Sequence, residues 1–504
     1  MTFQWQVTVR NTPFLLLFLT AQLLSGVAVA PKKLLAFQSP NAVAETQQGA
    51  DICPAQLENA IATVINRPQF RRSRWGIVIT PLSSKDRPLY SHDAERYFIP
   101  ASNAKLLTTA AALLQLGTDF QIRTSIYETG AGVLIVGRGD PSLSAAQLKD
   151  LAQQLKGQGI RSVRQLIVDD GYFQGDALNS NWEWEDVLSD YATSVNSLIL
   201  NQNAVELTLF PQQLNQPLKM SWSDPIAASQ WQVVNHSLTR EAGLPADVAV
   251  TTAFGKPLLQ ITGHLAIDSE PDSFGLAVLD PAEYFLQHFQ QVLAAEGIRV
   301  TQALVASSSL IDQQRELAGV NSPTLETLVL ETNQQSNNLY AEVLLRTLGA
   351  RVGQDRQSTY STAEAGLEVV KETLTQVGID PESYILSDSS GLSRHNLVSP
   401  EAIVKTLQAM AQTPYAAVYR ASLPVAGTSG TLRRRFQDTA AQGKLQGKTG
   451  TLSGVGALSG YLDVPDYQPL VFSIMVNQSD QPNATLRQAI DEIVLLLTRL
   501  RSCS

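Results

Sequence analysis

Apolar residues recur at helical spacing in many stretches of the chain. The clearest stretch, 100–116, begins with a proline, has Leu106, Ala110 and Leu113 on one stripe, and is followed by Gly117. Proline in the first turn and glycine just past the last turn are typical helix ends. The same periodicity predicts helices over 55–65, 145–155, 282–296, 325–330, 336–348, 363–376, 400–411 and 483–500.

Shorter apolar runs, bounded by turn residues, predict strands. They lie over 75–80, 89–91, 121–128, 133–136, 165–168, 205–210, 231–238, 258–265, 457–462 and 470–476. The middle of the chain is therefore rich in strands, whereas helices dominate towards both ends.

This order of elements predicts an α/β fold with a discontinuous main domain. Residues 53–119 and 276–504 are expected to form that domain together, and 120–275 is expected to be a β-rich inserted region of one or two subdomains. No similarity recurs at a period of 20–50 residues, which argues against a solenoid.

The N-terminus has the pattern of an export signal. Arg10 precedes an apolar run over 14–30, which ends in small residues before Pro31-Lys32-Lys33. We predict a signal over 1–30, with cleavage as far downstream as about 44; the alternative is a short membrane anchor that stays uncleaved. Both readings place the body of the protein outside the cytoplasmic membrane, in the periplasm or cell-wall space.

Composition narrows the classes of function. With 37 Lys and Arg against 46 Asp and Glu, the net charge is −9, which disfavours nucleic acid as the main partner. Five scattered histidines and two cysteines argue against a histidine-rich or four-cysteine metal site. We hypothesise that Cys53 and Cys503, at opposite ends of the exported chain, form a disulfide; the alternative is two free thiols.

Ser102 and Lys105 stand at the start of the strong helical stretch. Residues three apart share a helix face, so the amine can act as a base towards the hydroxyl, which a nucleophilic serine requires. The helix N-terminus also favours developing negative charge. The alternative is a capping serine and a solvated lysine.

Two further motifs contain hydroxyl, amine and amide groups. Lys448-Thr449-Gly450-Thr451 precedes a strand-like segment over 452–462, where Gly450 would let a ligand approach the backbone; an ordinary glycine-containing turn is the alternative. Ser336-Asn337-Asn338 opens a predicted helix and lies between the other two motifs in the chain. Ser-x-Asn alone is common, and only its order in this set distinguishes Ser336.

Together the three motifs resemble those of penicillin-binding proteins and class A β-lactamases. The chain resembles the exported D-alanyl-D-alanine carboxypeptidases/endopeptidases of the low-molecular-mass class C penicillin-binding proteins, peptidase family S13. The resemblance extends over about 53–500 and includes 139–143, 389–394 and 423–432. It implies a β-lactamase-like transpeptidase domain, with helices packed on an antiparallel sheet, and a large insertion.

The resemblance implies a role for each motif residue. Ser102 would be the acylated nucleophile and Lys105 its general base, while Ser336 would relay a proton with the help of Lys448. Asn338 would bind the substrate peptide group.

Of the remaining motif residues, Thr449 and Thr451 would hold the terminal carboxylate beside Gly450. The backbone N–H groups of Ser102 and Thr451 would form the oxyanion hole.

The expected function is cleavage of peptidoglycan stem peptides ending in D-Ala-D-Ala, through an acyl-enzyme and without a metal or organic cofactor. β-Lactams would act as covalent inhibitors. The alternatives are a β-lactamase or esterase on the same fold, and a non-catalytic peptidoglycan-binding protein. The sequence leaves open carboxypeptidase against endopeptidase preference and whether the protein forms a homo-oligomer.

Overall fold

The protein is described here from a computed structural model that covers residues 51–84, 87–253, 255–306, 315–352 and 360–503. The predicted export signal over 1–30, with its cleavage site, lies outside the described residues. Within the described ranges, no helix is long and apolar enough to cross a membrane.

The α-helices of the described residues are, in chain order, α1 (Leu57–Ile65), α2 (Ala104–Leu116), α3 (Ala145–Gly157), α4 (Pro225–Ser229), α5 (Pro281–Ala295), α6 (Leu325–Gln334), α7 (Asn338–Arg351), α8 (Thr362–Gln376), α9 (Pro400–Met410), α10 (Ala416–Ala421) and α11 (Asn483–Leu497). A 3-10 turn over Ala101–Asn103 leads directly into α2.

The strands are β1 (Arg74–Pro81), β2 (Tyr90–His92), β3 (Arg123–Thr129), β4 (Gly132–Val136), β5 (Ser162–Asp169), β6 (Ala204–Phe210), β7 (Lys219–Trp222), β8 (Gln232–Asn235), β9 (Leu238–Arg240), β10 (Asp247–Thr252), β11 (Leu258–Ala266), β12 (Asp272–Ala277), β13 (Arg299–Ala306), β14 (Glu316–Asn321), β15 (Tyr384–Ile385), β16 (Leu397–Val398), β17 (Leu445–Leu452), β18 (Val455–Leu462) and β19 (Leu470–Asn477).

The first large sheet joins both ends of the described chain. Its order is β17-β18-β19-β1-β2, all antiparallel, and β1 pairs with β19 from Arg74–Asn477 to Pro81–Leu470. Close by, the disulfide between Cys53 and Cys503 joins Cα atoms 5.6 Å apart. The two segments that the sequence assigned to one domain thus share a sheet.

Helices cover both faces of this sheet. On β1, Ile77 and Ile79 belong to the apolar core shared with α1 and α11, whereas Val78 belongs to the core shared with α2, α7 and α9. Side chains alternate between the faces of a strand, so a run of apolar residues such as 75–80 is expected where both faces are covered. The result is an α/β layered fold.

A third core lies in the inserted region. It is built on the sheet β13-β5-β4-β3-β14, against which α3 and α5 pack, together with the smaller sheets β12-β6-β7 and β10-β11-β8. Strands β4, β5 and β13 are mutually parallel, while β3 is antiparallel to both of its neighbours.

The packing differs from the expected limits of the insertion, 120–275. Strand β13 pairs with β5, β14 pairs with β3, and α5 shares the third core, so 281–306 and 315–321 pack with the insertion. Conversely, Trp182, Val195 and Ile199 lie in the core around α2 and α7. The sequence prediction missed both facts because a change of core leaves the local periodicity unaltered.

Candidate active site

Ser102 lies in the tight turn before α2. The preceding residue, Ala101, has φ +47°, in the left-handed region that costs an ordinary residue about 1–2 kcal/mol. This turn contacts Gly391, where a Cβ atom would lie 1.8 Å from the Ala101 carbonyl oxygen, so only glycine fits. The turn is also held from the sheet side, because Asn103 donates a hydrogen bond of 2.7 Å to the Ser459 hydroxyl on β18.

The Lys105 amine lies one turn along α2 and is fully buried. Its Nζ donates to Ser102 Oγ at 3.0 Å, to Asn338 Oδ1 at 2.6 Å and to the Ser390 carbonyl at 2.5 Å. Burial lowers the pKa of Lys105 to about 7, although the charges of two carboxylates, Asp388 and Glu342, oppose the shift. A large share of this amine is therefore neutral near pH 7.

Ser336 and Lys448 form a second hydroxyl–amine pair. Lys448 Nζ donates to Ser336 Oγ at 2.8 Å and to the Thr449 carbonyl at 3.0 Å, and the lysine is fully buried. Burial, and then the positive charge of Lys105, hold the pKa of Lys448 well below its usual range. Ser336 has φ +60°, a left-handed position just before α7.

Lys448-Thr449-Gly450-Thr451 lies within β17 itself, rather than in a turn before a strand. A Cβ atom at Gly450 would lie 2.7 Å from the Pro100 carbonyl oxygen, so the strand passes closely beside the turn that holds Ser102. Thr449 Oγ1 lies 2.7 Å from Thr431 Oγ1, and Thr451 is exposed.

Asn338, the first residue of α7, bridges two elements. Its Oδ1 accepts the bond from Lys105, and its Nδ2 donates to the Tyr191 carbonyl of the inserted region at 2.8 Å. The neighbouring Asn337 caps α7 by accepting from Tyr340 N, and its Nδ2 donates to Gln202 Oε1 at 2.7 Å. The three predicted motifs and the inserted region thus meet at one place.

Gln202 is a contact that the sequence analysis missed. It lies in a run of three left-handed residues, Asn201, Gln202 and Asn203, with φ of 50°, 58° and 52°. The buried Asn203 side chain secures this run by donating to Ser194 O and Asn196 Oδ1, both at 2.9 Å. Strained backbone of this kind persists only where its surroundings enforce it.

Two buried carboxylates, also missed, shape the loop that accepts from Lys105. Asp388 accepts from the backbone N–H groups of Gly391 and Ser393, each at 2.8 Å. Glu342 Oε1 accepts from the N–H groups of Ser389 and Ser390, the two residues between Asp388 and Gly391, also at 2.8 Å. Burial, and then Asp388, raise the pKa of Glu342 to about 7. The resemblance covered 389–394, but nothing in the local pattern distinguished these two acids.

The inserted region contacts this loop directly. Trp182 Nε1 donates to Asp388 Oδ2 at 2.8 Å, and Glu183 forms an ion pair of 3.0 Å with Arg394. Arg394 in turn donates to the Ser453 carbonyl between β17 and β18. One side of the site is therefore built by the insertion.

The geometry suits acyl transfer. A serine hydroxyl lies within hydrogen-bonding distance of a buried amine that can be neutral near pH 7, and a strand and an amide border the same turn. Among the described residues, no group of three or more His, Cys, Asp and Glu side chains is placed to hold a metal ion.

The chain is similar to known proteins over most of its length. Residues 57–500 match the D-Ala-D-Ala carboxypeptidase 3 (S13) family. A D-alanyl-D-alanine carboxypeptidase of Actinomadura sp. (strain R39) is 32% identical over 449 residues, 85% of this chain and 82% of that protein. The D-alanyl-D-alanine carboxypeptidase DacB of Haemophilus influenzae is 26% identical over 423 residues, 78% and 83% of the two chains.

The fold is also that of a solved structure. The crystal structure of penicillin binding protein 4 (dacB) from Haemophilus influenzae superposes with a TM-score of 0.76 at 23% identity, covering 87% of this chain and 98% of the other. This likeness confirms the predicted α/β fold.

Proposed function

The chain belongs to the D-Ala-D-Ala carboxypeptidase 3 (S13) family, and on that premise we propose that it cleaves peptidoglycan stem peptides ending in D-Ala-D-Ala through an acyl-enzyme on Ser102. The observation that carries the proposal is the Ser102–Lys105 pair. Its atoms are 3.0 Å apart, and the fully buried amine has a pKa of about 7.

In the first step, neutral Lys105 takes the proton of the Ser102 hydroxyl as Oγ bonds to the carbonyl carbon between the two D-alanines. The carbonyl oxygen becomes an oxyanion, which the N–H groups of Ser102 and Thr451 stabilise from the turn before α2 and from β17. Water is excluded around the amine because Lys105 is fully buried.

In the second step, the bond to the terminal D-alanine breaks and its nitrogen takes a proton. Ser336, held by Lys448 at 2.8 Å, is the relay for that proton. Water then attacks the ester on Ser102, which releases the shortened peptide and restores the hydroxyl.

The substrate is positioned by groups around this centre. Asn338 binds the peptide group, and Thr449 and Thr451 on β17 bind the terminal carboxylate beside Gly450. At Gly450 the strand lies against the turn of Ser102, which brings the carboxylate close to the scissile bond. No cofactor enters this scheme.

We place the reaction outside the cytoplasmic membrane, in the periplasm or cell-wall space. The export pattern over 1–30 supports this location, as does the disulfide between Cys53 and Cys503, since disulfides persist in oxidising compartments.

Labelling with a fluorescent penicillin tests the nucleophile. The wild-type protein should form a stable covalent adduct and Ser102→Ala should form none, while Ser83→Ala, at an exposed serine just past the end of β1, should label like the wild type. Equal labelling of wild type and Ser102→Ala would contradict the assignment.

Incubation with peptidoglycan fragments tests the reaction class. Release of D-alanine from a monomeric pentapeptide indicates carboxypeptidase action, and conversion of cross-linked dimers to monomers indicates endopeptidase action. Rapid turnover of penicillin, with neither product, would instead favour a β-lactamase.

A further inference from the structure

A pocket of about 230 Å³ lies at the far ends of the two helices that begin at the active site. Helix α2 has 13 residues and α7 has 14, so each is roughly 20 Å long at 1.5 Å per residue. Phe120, just past α2, and Arg351, the last residue of α7, line one side of the pocket; the sheet of the inserted region lines the other.

Positive charge dominates the lining. Arg138, after β4, donates through Nη1 to the Arg123 carbonyl at 2.8 Å and to Ser125 Oγ at 3.3 Å, and through Nη2 to Tyr127 OH at 3.2 Å. None of these partners is an acid. A guanidinium has five N–H donors, and the bonds to described residues use three of them, which leaves two that no other described residue occupies.

The second arginine of the pocket is similarly placed. The guanidinium carbon of Arg351 lies 5.4 Å from the centre of the Phe120 ring, and the Tyr172 phenol lines the same pocket. Neither of these two groups is an acid. The third arginine, Arg123, differs because it forms an ion pair with Glu316.

Two hydroxyl groups lie among these charges. Burial raises the pKa of Tyr172, while the positive charges of Arg351 and Arg138 both act to lower it, so the two guanidiniums converge on one phenol. Thr347 also lines the pocket; it is 2% exposed, and its hydroxyl has no hydrogen-bond partner in the described part of the chain. A buried hydroxyl without a partner is uncommon and asks for an explanation.

We propose that this pocket binds an oxyanion, a phosphate or carboxylate group, between Arg138 and Arg351. Guanidinium groups match the planar and tetrahedral oxygens of such ions and bind them with two parallel hydrogen bonds. Because Arg138 belongs to the inserted region and Arg351 to α7, the bound ion links the core of the inserted region with the core around α2 and α7. The proposal does not depend on the function of Ser102.

Ion binding to the full-length mature protein tests it. Inorganic phosphate and succinate are titrated by calorimetry, and thermal unfolding is followed in each at an ionic strength matched with sodium chloride. The preferred ion raises the unfolding temperature in proportion to its occupancy. A stronger response to phosphate assigns the site to phosphate esters, and a stronger response to succinate assigns it to carboxylates.

Substitutions locate the binding. Arg138→Gln and Arg351→Gln should each raise the Kd about tenfold or more, because each removes charge-assisted hydrogen bonds. Arg164→Gln is the matched control: this exposed arginine of the same sheet donates to the carbonyls of Ala131 and Gly130 and does not line the pocket, so the variant should bind like the wild type.

Thr347→Val keeps the shape of the side chain and removes only its hydroxyl. It should fold normally and weaken the preferred ion about threefold, so it tests the site even if an arginine variant misfolds. Equal affinities in the wild type, Arg351→Gln and Thr347→Val would overturn the proposal, as would the absence of binding of both ions by the wild type.

Discussion

The two ends of helices α2 and α7 hold positive side chains in opposite environments. At their N-terminal ends, the Lys105 and Lys448 amines are fully buried and have lowered pKa values. At the C-terminal ends, Arg351 is exposed and Arg138 is half-buried. Burial turns a lysine into a base, whereas an arginine keeps its charge in either environment.

The comparison also shows why Lys105, at the N-terminal end of α2, is not held permanently in its protonated form. Asp388 and Glu342 lie near Lys105, and their charges raise its pKa. Their oxygens nevertheless accept bonds from backbone N–H groups and set the loop of Ser390, whose carbonyl accepts from Lys105. The acids therefore hold a carbonyl against the amine and leave its pKa near 7.

The largest effect that tests this comparison is expected when an arginine replaces the buried Lys105. Lys105→Arg keeps the positive charge but removes the neutral base, so we expect D-alanine release and penicillin acylation to fall about 10³-fold. Single-turnover kinetics with a fluorescent penicillin measure the loss.

Lys156→Arg serves as the control, since Lys156 is half-exposed and forms an ion pair of 3.2 Å with Glu296. It should act like the wild type. An active Lys105→Arg would show that the charge of Lys105, and not its proton affinity, is what matters.

The pH dependence is the next largest effect. In the proposed mechanism Lys105 reacts in its neutral form, and its pKa is about 7, so acylation should rise as the pH increases through 7 and be about 100-fold slower at pH 5 than above pH 8. Acylation rates from pH 5 to 9 give this profile.

Glu342→Gln identifies the group that titrates. The Glu342 charge raises the pKa of Lys105, so its removal should move the rise in acylation rate to lower pH. A glutamine oxygen at this position still accepts from Ser389 and Ser390. If the acylation rate of this variant no longer changes with pH near 7, the titrating group is Glu342 itself, whose pKa is also about 7.

The smallest effect concerns the inserted region. Gln202→Ala removes the 2.7 Å bond that holds Asn337 between Ser336 and Asn338, and we expect kcat to fall about fivefold. The rise in rate with pH near 7 should be unchanged, because Gln202 is a positioning residue and does not affect the pKa of Lys105.

Gln212→Ala, an exposed glutamine of the same region, is the control and should retain full activity. Unchanged kcat in Gln202→Ala would show that the insertion does not position the second motif.

Local patterns were sufficient for much of the fold. The helix over 100–116 and the strands over 75–80 and 470–476 were predicted, with small shifts of their ends, since apolar periodicity depends on near neighbours in the chain. Strands β13 and β14 were missed: β13 is largely exposed at the edge of its sheet, and its apolar run is only four residues long, over 303–306.

The candidate site divides in the same way. Ser102 and Lys105 were found from the sequence because their spacing of three places both on one helix face. Lys448 was found because Lys-Thr-Gly occurs once in the sequence, and Ser336 because its motif lies between the other two. Gln202 had no such local signature, since its partner is 135 residues away.

The sequence by itself determined the elements, the order of the three motifs and the family they resemble, because each of these is written in residues close together along the chain. Only the tertiary structure decided which amines are desolvated, which carboxylates lie beside them and which arginines have no acid among their partners in the described part of the chain. Those properties depend on burial and on partners brought together by folding, and both are set by residues hundreds of positions apart.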